Sequence, residues 1–147
     1  MLHVDDDAFV RAPVRLVYPH LTHLAAYPRW WPGVAMQPVG RGGAELFRLT
    51  MRAGRLSRPL RLIVHPNGWR HDAGFHMSIE GDLDGRAEWW LEEGWGGTVV
   101  HHLASFEAIG ASPRRALTAY RRALRQGLWA CKDVLQSEVR RSAGVAP

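Results

Sequence analysis

Residues 112–140 read SPRRALTAYRRALRQGLWACKDVLQSEVR and predict one long helix. Ser112 provides a capping hydroxyl, Pro113 suits the first helical position, and no further proline or glycine occurs before Gly127. The apolar residues recur at helical spacing and share one face: Leu117, Tyr120, Leu124, Leu128, Cys131 and Leu135. A stripe of this length, running to about Arg140, needs a large apolar surface to pack against.

The stretch between Val34 and Ile109 predicts that surface, an antiparallel sheet. Turn signals recur there at hairpin intervals: Gly40 with Gly42–Gly43, Arg58–Pro59, Asn67–Gly68, Gly81 with Gly85, and Gly94 with Gly96–Gly97. Asn67–Gly68 predicts a two-residue type I′ turn, which needs positive φ at both central positions. Between the turns one face is apolar: Phe47, Leu49 and Met51; Leu60, Leu62 and Val64; Phe75, Met77 and Ile79; Ala87, Trp89 and Leu91; Val100, His102, Ala104 and Phe106.

The N-terminal part predicts a strand followed by two short helices. The strand covers Val4–Arg11, and Pro13 then breaks it and opens a helix with one apolar face: Val14, Val17, Tyr18 and Leu21. Thr22 is expected to cap the second helix, which holds Leu24 and Ala25 and ends before Pro28.

These elements predict an α+β helix-grip fold, one domain over residues 1–147. A curved antiparallel sheet of about six or seven strands would wrap round the C-terminal helix. Small inward residues would leave an internal cavity: Ala87, Ala104, Ala123 and Gly127. Gly127 costs the helix about 0.5–1 kcal/mol relative to alanine, which either a close ligand or strand or tight packing alone can explain.

Composition excludes several classes of protein. No apolar run is long enough to span a bilayer, and the N-terminus MLHVDDDAF is acidic, so we expect a cytoplasmic protein without membrane insertion. Cys131 is the only cysteine, so no intramolecular disulfide can form. The net charge is +5, but the basic residues are scattered, and the densest group, Arg114, Arg115, Arg121, Arg122 and Arg125, has the spacing of a solvated helix face. We therefore expect no nucleic-acid partner.

Two segments carry a family resemblance. Residues 9–33, FVRAPVRLVYPHLTHLAAYPRWWPG, resemble the opening strand and helix pair of the START-like superfamily, also called SRPBCC or Bet v 1-like. Residues 80–108, EGDLDGRAEWWLEEGWGGTVVHHLASFEA, resemble its last two strands in the polyketide cyclase/dehydrase branch. The resemblance implies a deep apolar cavity under the C-terminal helix. Such proteins include aromatase/cyclases, lipid carriers, quinone-binding proteins and hormone receptors, among which fold alone does not choose.

His102 and Tyr120 are the candidate catalytic residues. Strand parity points His102 inward, where a neutral imidazole can hydrogen-bond or exchange a proton with a ligand carbonyl; the alternative is a core histidine satisfied by a backbone group. Tyr120 lies on the helix stripe, where its hydroxyl either meets a ligand oxygen or, as we slightly favour, reaches the surface. Glu88 lies opposite Trp89 in parity and is expected outside the cavity.

The predicted ligand-binding residues are the other large inward side chains and their neighbours: Trp30, Trp31, Phe47, Leu49, Met51, Leu62, Phe75, Met77, Trp89, Phe106, Leu124, Gly127 and Leu128. Of the two adjacent tryptophans, Trp31 is the candidate lid and Trp30 the candidate plug. Histidines 20, 23, 65 and 71 are expected to be exposed. No motif has metal-ligand spacing, so we expect neither metal nor cofactor.

The prediction for function is a monomer or homodimer that encloses an apolar, aromatic or polyketide-type molecule. If it is an enzyme, ring closure or loss of water is expected, with His102 or Tyr120 transferring protons. A non-catalytic carrier or sensor of a lipid, quinone or fatty acid is the first alternative. An interaction module, its cavity shrunken by large side chains, is the second. Inward polar groups within reach of each other favour an enzyme, and a purely apolar cavity favours a carrier.

Overall fold

The computed structural model describes residues 1–40, 45–110 and 112–144. One antiparallel sheet has the order β1-β7-β6-β5-β4-β3-β2. Its strands are β1 (Leu2–Val10), β2 (Val34–Pro38), β3 (Phe47–Met51), β4 (Leu60–Arg70), β5 (Gly74–Gly81), β6 (Leu83–Gly94) and β7 (Gly97–Ala108). The helices are α1 (Val14–Thr22), α2 (Tyr27–Trp30) and α3 (Pro113–Ser142), with a 3₁₀ turn, Leu24–Ala26, between the first two. The predicted α+β helix-grip fold is confirmed.

Helix α3 begins at the predicted residue, Pro113, and ends at Ser142, two residues beyond the predicted end at about Arg140. The Ser112 hydroxyl accepts the Arg115 N–H at its N-terminus. The predicted stripe is buried except for Leu117, which is half-buried. An ion pair of 2.7 Å between Arg125 and Asp6 joins the helix to β1. No helix among the described residues is long and apolar enough to cross a membrane.

The predicted inward face of the sheet is also confirmed. All of its members are buried except Phe47 and Leu91, which are half-buried. The strand register places Trp89 opposite His102 and opposite Phe75 on its two neighbouring strands. Because side chains alternate along a strand, this register brings the three rings to the same side of the sheet.

The tightest turn lies elsewhere than predicted. Asn67–Gly68 belongs to β4, at a register shift, and the turn to β5 follows at residues 71–73. Gly68 has φ +62°, so its positive φ serves a bulge. The two-residue turn is Trp95–Gly96, with φ of 53° and 75°, between β6 and β7.

Two further glycine signals have different outcomes. Gly85, predicted to mark a turn, lies inside β6 opposite Phe106, where the backbone of β7 leaves no room for a side chain. The predicted turn residues Gly42–Gly43 lie outside the described residues.

The helix pair before β2 also differs from the prediction. Thr22 ends α1, and its hydroxyl donates to the Pro19 carbonyl at 3.4 Å rather than capping a second helix. Pro28 lies in the first turn of α2, where its missing N–H removes no hydrogen bond. The second helix is therefore divided into a 3₁₀ turn and a short α-helix that continues through Pro28. Strand β1 spans Leu2–Val10 instead of Val4–Arg11.

We expect Trp95→Asn to stabilise the fold by about 0.5–1 kcal/mol, because asparagine tolerates the left-handed conformation better than tryptophan. Trp95 is 80% exposed, so little packing is lost. Urea unfolding measures the change, and Trp95→Val should destabilise because a β-branched residue suits positive φ poorly. A gain from both variants would contradict the turn geometry.

Candidate functional site

The site is built around a polar pair inside the sheet. His102 on β7 and Tyr120 on α3 are both buried, and the His102 Nε2 and Tyr120 hydroxyl oxygen are 2.6 Å apart. Each is therefore the other's partner. The expectation that the Tyr120 hydroxyl reaches the surface is wrong. The alternative that a backbone group pairs with the His102 imidazole is also wrong, because the apolar stripe of α3 places Tyr120 against His102.

The pair leaves one ring nitrogen without a partner. A neutral imidazole carries one N–H, so either Tyr120 donates to Nε2 and Nδ1 holds the hydrogen, or Nε2 donates and Nδ1 is an acceptor. Nδ1 is buried and has no hydrogen-bond partner among the described residues, and the same holds for the adjacent Trp89 Nε1. The Trp89 and His102 rings lie 4.2 Å apart. Since buried polar atoms are usually paired, these two indicate an unmet requirement for a polar contact.

Burial keeps both members of the pair neutral. Loss of hydration lowers the pKa of His102 to about 3 and raises the pKa of Tyr120 well above its ordinary value. At neutral pH the pair thus offers hydrogen bonds without charge.

The cavity beside this pair is far smaller than predicted. It measures about 20 Å³, the space of roughly one water molecule. Its lining comprises Tyr27, Trp31, Met36, Leu49, Met51, Leu62, Val64, Met77, Ile79, Trp89, His102 and Tyr120. The small inward residues left less room than expected because rings from other elements, chiefly Trp31 and Trp89, fill the interior. Apart from the polar pair and the N–H or O–H groups of the other aromatic residues, the walls are apolar.

The structure brings together eight of the predicted site residues at this cavity: Trp31, Leu49, Met51, Leu62, Met77, Trp89, His102 and Tyr120. The others do not line it: Trp30, Phe47, Phe75, Phe106, Leu124, Gly127 and Leu128. Phe106 packs behind Tyr120, and Phe75 stacks on Trp69. Tyr27, Met36, Val64 and Ile79 were missed, although the alternation of β4 and β5 already put Val64 and Ile79 on the inward face.

The two adjacent tryptophans have the reverse of their expected roles. Trp31, the candidate lid, is 5% exposed, and its Nε1 donates to the Ala123 carbonyl of α3 at 3.0 Å. A Cβ at Gly127 would lie 2.2 Å from Trp31 Cε2, so the ring rests on the helix backbone. Gly127 is therefore explained by packing against Trp31. We call these three residues, Trp31, Ala123 and Gly127, the Trp31 seat.

Trp30 covers the Trp31 seat from outside. It is half-buried and stacks on Trp31 with ring centroids 5.6 Å apart. The centroid of the His20 ring lies 4.4 Å from that of Trp30. His20 was expected to be exposed, but it is half-buried, and burial lowers its pKa to about 4. Aromatic rings thus contact one another in succession from His20 through Trp30, Trp31 and Trp89 to His102.

A further group of polar side chains lies outside the cavity. Glu88 lies outside the cavity as predicted, and it accepts from Trp90 at 3.0 Å and contacts His76 at 3.2 Å. Within the described ranges, no three histidine, cysteine, aspartate or glutamate side chains are placed to hold a metal ion.

Comparison with known proteins places the chain in a family. The family model described as polyketide cyclase/dehydrase and lipid transport matches residues 1–136. The chain belongs to this family. No curated protein matches the chain in sequence.

Solved structures confirm the START-like fold at low sequence identity. A Thermus thermophilus protein superimposes with a TM-score of 0.77 at 16% identity, covering 93% of this chain and 99% of that chain. The ZhuI aromatase/cyclase from a Streptomyces species gives 0.73 at 17%, covering 99% of both chains. A START superfamily protein from Mycobacterium smegmatis gives 0.74 at 12%, covering 92% and 97%. These likenesses concern the fold.

Gly127→Ala should destabilise the protein by about 1–3 kcal/mol despite its higher helix propensity, because the new methyl displaces the Trp31 ring. In a Trp31→Ala background the same change should instead stabilise by up to about 1 kcal/mol, since the obstacle is gone. Urea unfolding of the four proteins in this double-mutant cycle measures both. The same sign in both backgrounds would contradict the Trp31 seat.

Stability should fall as the pH drops from about 6.5 toward 3, because the unfolded state then binds a proton that folded His102 excludes. His20 adds to the loss as its pKa is lowered to about 4. Urea unfolding between pH 7 and pH 4 gives the slope of the free energy of unfolding against pH. In His102→Gln this slope should be shallower than in the unaltered protein by up to about 1.4 kcal/mol per pH unit. Tyr120→Phe, which keeps the buried imidazole, should retain the slope; equal slopes in His102→Gln and the unaltered protein would refute the assignment.

Proposed function

We propose that the chain binds an apolar small molecule with a carbonyl oxygen, of the aromatic or polyketide type, between the sheet and α3. The supporting observation is the unpaired polar edge of an otherwise apolar interior: His102 Nδ1 and Trp89 Nε1. Each can donate a hydrogen bond to a carbonyl oxygen, His102 when Tyr120 donates to its Nε2 and leaves the hydrogen on Nδ1. A purely hydrocarbon ligand would leave them unsatisfied. Membership of a polyketide cyclase/dehydrase and lipid transport family agrees with this chemistry.

Binding requires the interior to expand. The cavity of about 20 Å³ is much smaller than a drug-sized site, which has about 300–1,000 Å³. Two features make expansion feasible. Met36, Met51 and Met77 line the cavity with unbranched, adaptable side chains. Trp31 is fixed to α3 through one indole hydrogen bond, so its withdrawal from the Trp31 seat would free the volume of a ring.

The pair's pKa values favour a binding protein over a proton-transfer catalyst. An imidazole with a pKa of about 3 is a weak base at neutral pH, and a phenol with a raised pKa is a weak acid. General acid–base catalysts work best with a pKa near the ambient pH. The 2.6 Å contact between His102 and Tyr120 nevertheless supports a second candidate, catalysis of ring closure or loss of water. In it the pair would protonate or deprotonate the bound carbonyl compound.

The two-ring ketone 1-tetralone should bind at least about tenfold more tightly than tetralin, its analogue without the carbonyl, because its oxygen gains hydrogen bonds from the unpaired N–H groups of His102 and Trp89. Calorimetric titration of both compounds gives the ratio. His102→Leu should lower the preference while still binding tetralin, because only the Trp89 donor remains. Phe106→Leu, on the same face of β7, removes a buried ring without a polar atom and is the matched control; it should keep the preference.

Equal affinity for both compounds in the unaltered protein, or binding of neither, would rule out the proposal. The same complex separates the two candidates. In heavy water, a proton-transferring site accelerates deuterium uptake next to the tetralone carbonyl, and His102→Leu removes the acceleration. Binding without accelerated uptake assigns the pair to holding the carbonyl.

A further inference from the structure

A second concave site lies on the outside of the molecule, between the end of β1 and the last turns of α3. This cleft has a volume of about 420 Å³ and is lined by Phe9, Arg11, Lys132, Gln136, Val139 and Arg140. It shares no lining residue with the interior cavity. Its volume is within the range of small-molecule sites, about 300–1,000 Å³.

The lining of the cleft carries three cations and no carboxylate. Lys132 Nζ donates to the Phe9 carbonyl at 3.0 Å, which holds the ammonium group at the cleft. Arg11 and Arg140 are exposed. The Arg11 backbone N–H donates to Gln136 at 3.0 Å, so the contact with α3 does not use its guanidinium group. Arg140 donates one guanidinium N–H to the Ser137 hydroxyl at 3.2 Å, so most guanidinium donors of the two arginines remain available to an anion.

The rest of the cleft is apolar. Phe9 and Val139 are half-buried walls on β1 and α3. Trp129, one helical turn before Lys132, is 56% exposed, and its ring centroid lies 5.7 Å from Lys132 Nζ. An exposed tryptophan beside a cationic cleft extends the apolar surface beyond the charged groups. A ligand that matches both parts has an acidic head and an apolar body.

We propose that this cleft binds an amphipathic anion, with its phosphate or carboxylate between Arg11, Lys132 and Arg140 and its apolar chain along Phe9 and Val139. The site is separate from the interior one and does not depend on the function proposed above. Its ligand is charged, whereas the interior offers only neutral groups. Asp133 and Glu138 lie on the same part of α3 but outside the lining, so they leave the head group's contacts cationic.

Dodecyl phosphate, kept below its micelle-forming concentration, tests the cleft in the full chain. Calorimetric titration should show one saturable site. The double variant R11Q/R140Q should weaken binding about tenfold or more, because two charge-assisted contacts are lost, and R11K/R140K should recover part of the affinity. The matched control R121Q/R122Q removes two exposed arginines of the same helix outside the cleft and should change binding less than twofold.

Two further measurements locate the site and the source of the head group. Amide signals of Phe9 and Val139 should shift on titration, whereas shifts confined to Trp31 and Trp89 would place the ligand inside and overturn the proposal. Equal losses in both double variants, or binding to phosphatidylglycerol vesicles alone, would overturn it too, since net charge would then explain the affinity. If the protein binds both dissolved dodecyl phosphate and the vesicles, and both depend on Arg11 and Arg140, membrane lipid is identified as a source of the anionic head group.

Discussion

The contact between Trp31 and Gly127 closes the interior of this fold. A Cβ at position 127 would lie 2.2 Å from the indole, so the ring and a helix side chain exclude each other. The helix accepts a glycine about 0.5–1 kcal/mol less favourable than alanine, and a large ring with a satisfied N–H is buried against it. The size of the cavity, the position of α2 and the layer formed by Trp30 and His20 all depend on this contact.

Closure also determines the chemistry of the polar pair. In the closed interior His102 is almost without solvent contact, which lowers its pKa to about 3, and burial raises the pKa of Tyr120. The two are then neutral hydrogen-bonding groups. Each unpaired polar atom left there, on His102 and on Trp89, costs about 1–3 kcal/mol. The interior is thus closed, and two of its polar atoms have no partner among the described residues, a combination that a ligand with one well-placed oxygen would relieve.

Local periodicity was enough to predict the sheet, the long helix and the faces that carry His102 and Tyr120, because alternation and helical spacing are properties of single elements. The burial of the Tyr120 hydroxyl was not predicted. The 2.6 Å contact between these two residues was not predictable, since it depends on how α3 is set over the sheet. The exchanged roles of Trp30 and Trp31 have a similar origin, because two neighbours at the end of a four-residue helix carry no periodicity. The predicted turn at Asn67–Gly68 was wrong for a different reason. A positive φ suits both a tight turn and a β-bulge, so the dipeptide alone does not distinguish them. The volume of the cavity was not predictable either, because it depends on how aromatic rings from separate elements pack together.

The two sites would select opposite kinds of molecule by the same physical rule. A charged head group cannot enter the interior, because there it would lose its hydration and find only neutral partners. A neutral carbonyl compound gains little in the cleft, whose distinguishing groups are cations. An interior ligand binds only molecules in which the Trp31 seat is open. Its apparent affinity is therefore its affinity for the open form multiplied by the fraction of molecules that are open. A hydrocarbon bears that loss in full, whereas a carbonyl compound recovers part of it by pairing His102 and Trp89, so closure itself contributes to selectivity.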